Sequence, residues 1–131
     1  GLFQKESMMQ GSDFVGTLFD CESNPDKVTV AFTMALNAVL KGHSSTVILM
    51  AEAVRLGLPD AAAGMDIGAP FEPVAELMRK FLEGGGRIAV CRSCMVHNGL
   101  SEDQIDKRFP IITAPDVIDL LMAAKGSLQI T

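Results

Sequence analysis

Short runs of β-forming apolar residues alternate along this chain with segments whose apolar residues recur at helical spacing. The clearest helical segment begins at Asn24-Pro25, an N-cap residue followed by proline in the first turn, and ends at Gly42. Its apolar residues fall on one helical face: Val28, Ala31, Phe32, Ala35, Leu36, Val39 and Leu40. Alternation of strands with helices predicts crossovers between parallel strands, and therefore an α/β sheet covered by helices.

The remaining segments complete this pattern. Strands are predicted over residues 14–19, 46–50, 87–90, 111–112 and 128–130. Further helices are predicted over 74–82 and after Pro115, the last with a face of Val117, Ile118, Leu121 and Met122. Helical turns are expected over 52–57 and after the capping box at Ser101, with a long loop over 58–70. The prediction is a flavodoxin-like, three-layer α/β/α sandwich with a mostly parallel five-stranded sheet.

The length of 131 residues corresponds to one domain, and 48% hydrophobic residues are enough to build its core. Residues 1–12 are set aside as a tag or flexible N-terminal segment, because their start is polar and lacks the apolar stretch of a signal peptide. A single domain is therefore predicted over residues 13–131.

Charge and hydropathy restrict the partners. The net charge of −5, without a dense cluster of Lys and Arg, argues against nucleic acid as a partner. No apolar run approaches the roughly 18 to 20 residues that span a bilayer, so no membrane association is expected. Three cysteines without an export signal favour reduced thiols in the cytoplasm over a disulfide framework.

The residues most suggestive of chemistry are Cys91 and Cys94, which form a C-x-x-C pair directly after the strand at 87–90. Active sites of parallel sheets gather at the carboxyl ends of the strands. A helical turn beginning there, together with the charge of Arg92, is expected to lower the pKa of Cys91 and favour the reactive thiolate. Cys91 is therefore the candidate nucleophile, although a buried structural cysteine remains an alternative.

Three chemistries fit this segment. Cys91, Cys94 and His97 have the spacing C-x-x-C-x-x-H, but structural zinc usually takes four ligands and the chain has no second cysteine pair, so no metal is predicted. Dithiol–disulfide exchange fits the C-x-x-C spacing, although its late position in the chain differs from that of thioredoxin. Sulfur transfer through a cysteine persulfide requires only one accessible, reactive thiol and a partner.

Two supporting side chains are also candidates, whereas no cofactor is predicted. His97 is placed to hydrogen-bond a cysteine thiolate, and Cys21, after the first strand, is a candidate resolving thiol or a packing residue. The glycine run 84–86 precedes a strand, whereas a phosphate-binding glycine loop follows one. The chain has no Trp or Tyr to stack on a flavin.

The run Gly-Gly-Arg-Ile-Ala-Val-Cys91-x-x-Cys94-x-x-x-x-Gly99-Leu100, which follows an amphipathic helix, resembles the DsrE/DsrF-like family, which includes the TusD-type sulfur-relay subunits. The resemblance extends from the first strand at residue 14 to the last at 128–130. It also covers the Asn24-Pro25 helix start and the helix at Pro115.

This resemblance implies a flavodoxin-like subunit that assembles into homotrimers or homohexamers and acts as a sulfur carrier or sulfurtransferase. It places the persulfide on Cys91 and matches Cys94 to a second cysteine that only some members have. Our hypothesis for Cys94 is that it resolves the persulfide by releasing sulfide. Sulfur donor and acceptor proteins are the implied partners. The alternative is a non-catalytic oligomeric binding or regulatory subunit whose cysteines are structural or bind a metal.

Overall fold

The fold is seen in a computed structural model that describes residues 9–131; residues 1–8, most of the predicted N-terminal segment, lie outside the described residues. The strands are β1 (Phe14–Leu18), β2 (Ser45–Leu49), β3 (Arg87–Cys91), β4 (Ile111–Ile112) and β5 (Gly126–Ile130). The α-helices are α1 (Pro25–Leu40), α2 (Val74–Glu83), α3 (Arg92–His97) and α4 (Ala114–Ala123). Two short 3₁₀ helices, the first and second 3₁₀ helix, cover Ala51–Gly57 and Glu102–Gln104.

Local sequence signals account for where the helices begin and end. The Asn24 side chain accepts a hydrogen bond from the Lys27 N–H at 3.3 Å and caps α1. The chain leaves α1 through Gly42, whose φ of 90° suits a residue without a Cβ. The predicted capping box at Ser101 is present, with the Ser101 N–H donating to the Gln104 side chain at 2.8 Å. Capping residues in the sequence therefore set these boundaries.

The sheet is parallel throughout, with the strand order β4-β3-β2-β1-β5. β1 lies between β2 and β5, so that Phe14 pairs with both Ser45 and Gly126. At the other side of the sheet, Cys91 pairs with Ile112. The predicted three-layer, flavodoxin-like α/β fold is confirmed, and its sheet is wholly parallel.

The larger core lies between the sheet and helices α1, α2 and α3. Phe32 of α1 and Phe81 of α2 are fully buried in it, with their rings edge to face and centroids 6.0 Å apart. Gly86 lies against the Phe81 ring so closely that an added Cβ would come within 2.3 Å of it. This core joins the helices firmly to the sheet face that leads to Cys91.

On the opposite face of the sheet, α4 is the helix that covers the strands within residues 9–131, and Met9 packs against the same core. In the core on this face, Val117 and Leu120 of α4 pack against four strand residues: Val15, Ile48, Ala89 and Ile112. The helical face predicted for this segment is therefore partly wrong, because Ile118 is 57% exposed and Met122 is 81% exposed. A single helix on a sheet buries only the stripe that faces the strands, so the flanking apolar side chains remain exposed.

The end of the predicted N-terminal segment contacts the sheet. Ser12 is buried, and its hydroxyl hydrogen-bonds the Thr46 hydroxyl at 2.6 Å. Arg87 donates to the same two hydroxyls, at 2.8 Å to Ser12 and 3.2 Å to Thr46, and also to the Gln10 carbonyl. The domain boundary at residue 13 stays a prediction, with Ser12 held against β2 and β3.

None of the helices within residues 9–131 combines the length and apolar character needed to cross a lipid bilayer.

Candidate functional site

The C-x-x-C pair lies at the carboxyl end of β3, where two neighbouring strands are followed by helices on opposite faces of the sheet. Cys91 is the last residue of β3 and the N-cap of α3, which packs on the larger core through Met95. The adjacent β4 leads into α4 on the other face. Ligands of open α/β sheets bind at such a topological switch point, beyond the carboxyl ends of the strands. The topology therefore singles out the neighbourhood of Cys91.

Cys91 and Cys94 are free thiols on either side of the first turn of α3, close enough that Cys91 raises the pKa of the Cys94 thiol. Cys91 is only 5% exposed, whereas Cys94 is half-buried. The pair thus has a deep member at the end of the strand and a shallower member one helical turn further on. Helix α3 brings together the two cysteines that the sequence singled out.

The environment of Cys94 favours its neutral form. Burial is the largest influence that raises the pKa of the Cys94 thiol, and the hydrogen bond to Cys91 is the second. The nearby backbone N–H of Ala51 acts in the opposite direction and lowers the pKa. The Cys94 thiol thus lies between Cys91 and the peptide that follows β2, in surroundings that favour its neutral form.

That peptide has an unusual backbone. Ala51 follows Met50 at the carboxyl end of β2 and adopts a φ of 48°, in the left-handed region that non-glycine residues rarely occupy. Ala51 is exposed, so contacts of its methyl group with the core do not impose this conformation. A strained backbone beside a cysteine is the kind of outlier that suggests a functional constraint.

Asn98 links α3 to this strained peptide. Its side-chain amide donates to the Cys94 carbonyl at 2.8 Å and, in a longer contact of 3.4 Å, to the Ala51 carbonyl. The Arg55 guanidinium in turn donates to the Asn98 carbonyl at 3.4 Å. Asn98 thus attaches the helix that carries Cys94 to the first 3₁₀ helix through two groups, its side-chain amide and its backbone carbonyl.

Cys21 lies in a separate setting, in the turn after β1. It is buried, and its backbone N–H donates to the Glu52 carboxylate at 3.2 Å, which also accepts from the Ser23 hydroxyl. Burial is the main cause that raises the pKa of Cys21, and the charges of Glu22 and Glu52 add to it. β2 separates β1 from β3, so the strands that lead to Cys21 and Cys91 lie roughly 10 Å apart. The resolving role suggested for Cys21 stays a prediction.

The remaining supporting residues lie at the surface. The Arg92 guanidinium contacts the Glu102 carboxylate, so its charge is shared with an acidic partner, and both side chains are about half exposed. His97 is exposed at the end of α3. Over residues 9–131, no group of three or more His, Cys, Asp or Glu side chains is placed to hold a metal ion, so Cys91, Cys94 and His97 do not form one.

Two cavities lie close to this region without including the cysteines. One, of about 440 Å³, lies between the first 3₁₀ helix and α2, and its walls include Leu56, Met78 and Phe109. The other, of about 490 Å³, extends along β4 from Arg92 to Ile111. The wall of the second cavity includes Arg92, the residue that follows Cys91.

Two residues of the site were not predicted from the sequence, Ala51 and Asn98. Neither belongs to a residue type that marks chemistry, and their contacts depend on β2 and β3 being neighbours. A weak signal was present in the turn-like residues Asn98-Gly99 after α3, since Gly99 ends that helix with a φ of 76°. The position of Ala51, directly after a buried strand, was the other signal.

Two solved structures show the same fold. The ychN protein from E. coli has a TM-score of 0.70 at 16% sequence identity, covering 92% of this chain and 99% of that protein. BT1422, described as a conserved protein of unknown function from Bacteroides thetaiotaomicron, has a TM-score of 0.63 at 18% identity, covering 90% and 95%. At such identities the likeness establishes a common fold.

No curated protein sequence matches this chain significantly. A model of the DsrE/DsrF-like family matches residues 17–129, which include all three cysteines and extend from β1 into β5. The match covers most of the chain and confirms the resemblance drawn from the segment around Cys91. This chain belongs to the DsrE/DsrF-like family.

Proposed function

We propose that this protein is a sulfur carrier that holds a persulfide on Cys91 and passes the sulfur to a partner. The observation that carries the proposal is the pair of free thiols at the end of β3 and in the first turn of α3, beside the topological switch point. The family is generally connected with sulfur relay, which supports the same reading. The pair provides one sulfur to be loaded and a second thiol beside it.

Loading is a thiol exchange in which atoms and charge balance. The Cys91 thiolate attacks the terminal sulfur of a donor persulfide, the donor sulfur–sulfur bond breaks, and the donor leaves as a thiolate. The new bond joins Cys91 to the transferred sulfur. No metal or cofactor is needed, because the donor supplies both the sulfur atom and the leaving group.

The loaded sulfur then has two routes. An acceptor thiolate that attacks the terminal sulfur takes it away and restores the Cys91 thiolate. Alternatively, Cys94 attacks the inner sulfur of Cys91, forms the Cys91–Cys94 disulfide, and releases the terminal sulfur as hydrogen sulfide. A dithiol reductant then returns both cysteines to thiols. Cys94 is the resolving residue in this scheme, consistent with its closeness to Cys91.

Docking with other chains completes the proposal. Donor and acceptor proteins are the expected partners, and the subunit is proposed to act as a homotrimer or homohexamer. Exposed apolar side chains, among them Leu40, Ile118 and Met122, offer surface for such contacts. The three free cysteines fit the reducing cytoplasm as the place of action.

Intact-mass measurement after exposure of the reduced protein to inorganic polysulfide tests the assignment. Cys94→Ser is expected to retain one or more added sulfur atoms, and Cys91→Ser to retain none. The wild type is expected to show either the added sulfur or the loss of two hydrogens left by its discharge. Cys21→Ser serves as the matched control and is expected to behave as the wild type does. Retention of sulfur in Cys91→Ser would assign the chemistry elsewhere.

The second candidate is a non-catalytic, oligomeric binding or regulatory subunit. The observation that favours it is the 5% exposure of Cys91, which suits a packing residue as well as a guarded nucleophile. This alternative predicts no sulfur on any variant and equally slow alkylation of Cys91 and Cys21. Metal in the purified protein would support it further.

A further inference from the structure

We propose that Ala51 and Asn98 are positioning residues that hold Cys94 against Cys91, and so determine how fast stored sulfur is discharged as sulfide. The inference rests on the proposed function, because it concerns the step that follows loading. Neither residue has to contact the donor or the acceptor. Both act on where the Cys94 sulfur lies.

The first part of the inference is the position of the Ala51 peptide. Ala51 follows β2 with a left-handed φ of 48°, and its carbonyl accepts the Asn98 amide at 3.4 Å. Cys91 and the Ala51 peptide are also the neighbouring groups that influence the pKa of the Cys94 thiol. The Cys94 side chain therefore lies between the end of β3 and the peptide that follows β2.

The second part is the attachment of α3. The Asn98 side-chain amide donates to the Cys94 carbonyl and, over a longer distance, to the Ala51 carbonyl. One side chain therefore connects the backbone of Cys94 to that of Ala51. Arg55 contacts the Asn98 carbonyl from the first 3₁₀ helix. A helix of only six residues, such as α3, is not stable by itself, so its position depends on contacts with neighbouring segments.

Discharge depends on this geometry more strongly than loading does. Loading needs only that a donor reach Cys91. Discharge requires the Cys94 sulfur to lie in line with the bond between the Cys91 sulfur and the terminal sulfur. In this step Cys94 loses its proton, the Cys91–Cys94 disulfide bond forms, and the terminal sulfur leaves as hydrogen sulfide. A misplacement of about 1 Å is enough to slow such a step by one or two orders of magnitude.

The test is a single-turnover experiment on Asn98→Leu, which keeps the size of the side chain and removes its N–H donors. Reduced protein is loaded with inorganic polysulfide and desalted; retained sulfur is followed by intact mass and released sulfide by a colorimetric assay. Asn37→Leu is the matched control, because the Asn37 amide bonds a carbonyl four residues earlier at 2.8 Å, as Asn98 does, but on the exposed face of α1.

We expect Asn98→Leu to load as the wild type does and to release sulfide at least about tenfold more slowly, with persulfide accumulating and Asn37→Leu unaffected. Release at the wild-type rate from Asn98→Leu overturns the inference and leaves the proposed function intact. Failure of the wild type and of Cys94→Ser to gain sulfur overturns the proposed function itself.

A second variant guards against loss of folding in Asn98→Leu. Arg55→Met removes the contact to the Asn98 carbonyl from an exposed side chain and leaves α3 unchanged in sequence. We expect normal loading with slower release. Unchanged release in Arg55→Met together with unfolded Asn98→Leu contradicts the inference, because the attachment of α3 would then not control discharge.

Discussion

Cys94 lies one helical turn beyond Cys91, and Cys91 raises the pKa of the Cys94 thiol although strand β3 and the short helix α3 hold the two residues in different surroundings. Cys91 ends a buried strand, whereas Cys94 lies one turn further along and is partly open to solvent. The protonation of one cysteine therefore depends on the presence of the other.

Removing Cys91 should therefore lower the pKa of Cys94. In Cys91→Ala, the hydrogen bond and the negative charge that raise this pKa are lost, while the Ala51 N–H that lowers it remains. A lower pKa gives more thiolate at a given pH, so the midpoint of the pH–rate profile for alkylation of Cys94 should move to lower pH. The profile is measured by mass spectrometry, with Cys21 in the same samples as the internal control. A midpoint that stays or rises contradicts this influence of Cys91.

Glu52 should stabilise the fold in a pH-dependent way. Hydrogen bonds from Ser23 and from the Cys21 N–H lower its pKa below the ordinary value of 4.5. The stabilisation is therefore present above that value and is lost as the pH falls through the lowered pKa of the folded state. Urea unfolding of the wild type and Glu52→Gln should differ at pH 7 and converge in acid. Glu22→Gln, an exposed carboxylate between Cys21 and Ser23, is the control, and a difference that persists in acid contradicts this account.

Replacing Ala51 by glycine should stabilise the protein slightly. Relief of the left-handed backbone favours glycine by about 1 kcal/mol, and the greater freedom of glycine in the unfolded chain removes roughly half of that gain. We expect a net increase of about 0.5 kcal/mol in the free energy of unfolding, measured in urea. Ala53→Gly, at a fully buried position in the same 3₁₀ helix, should instead destabilise. Destabilisation by both substitutions alike would contradict the strain at Ala51.

A methyl group at Gly86 should disrupt the larger core. The added Cβ would lie 2.3 Å from the Phe81 ring, which is itself packed edge to face on Phe32. Overpacking of this kind costs about 1 to 3 kcal/mol, so Gly86→Ala should lower the urea midpoint clearly. Gly126→Ala is the control, since its Cβ would meet no atom within 4 Å. Combining Gly86→Ala with Phe81→Leu should recover part of the loss.

The fold could be predicted from the sequence wherever the apolar residues of a single helix or a single buried strand form a clear pattern. Helix α1 and the capping box at Ser101 are located by their own residues. Helix α3 was foreseen only as a turn, because Met95 is its single buried residue and no apolar face repeats. The strand predicted over 128–130 begins earlier, at Gly126, because pairing with Phe14 of β1 determines where β5 starts.

The candidate site could be predicted only in part, because some of its contacts join segments that are far apart in the sequence. Cys91 and Cys94 stand out by residue type and spacing, and neither depends on other strands to be noticed. Ala51 gains its importance only once β2 is paired with β3, which brings its N–H near Cys94. Asn98 likewise acts across that junction. Contacts between segments far apart in sequence cannot be obtained from local patterns.

The pairing of β1 with β5 has a consequence for biosynthesis. β1 leaves the ribosome long before β5, so one of its edges remains open until residues 126–130 have been made. Contacts of such long sequence separation form slowly, and an open strand edge invites pairing with other chains. Wrong strand pairing during synthesis is therefore favoured before β5 is complete, and a product that ends within α4 keeps this edge of β1 open.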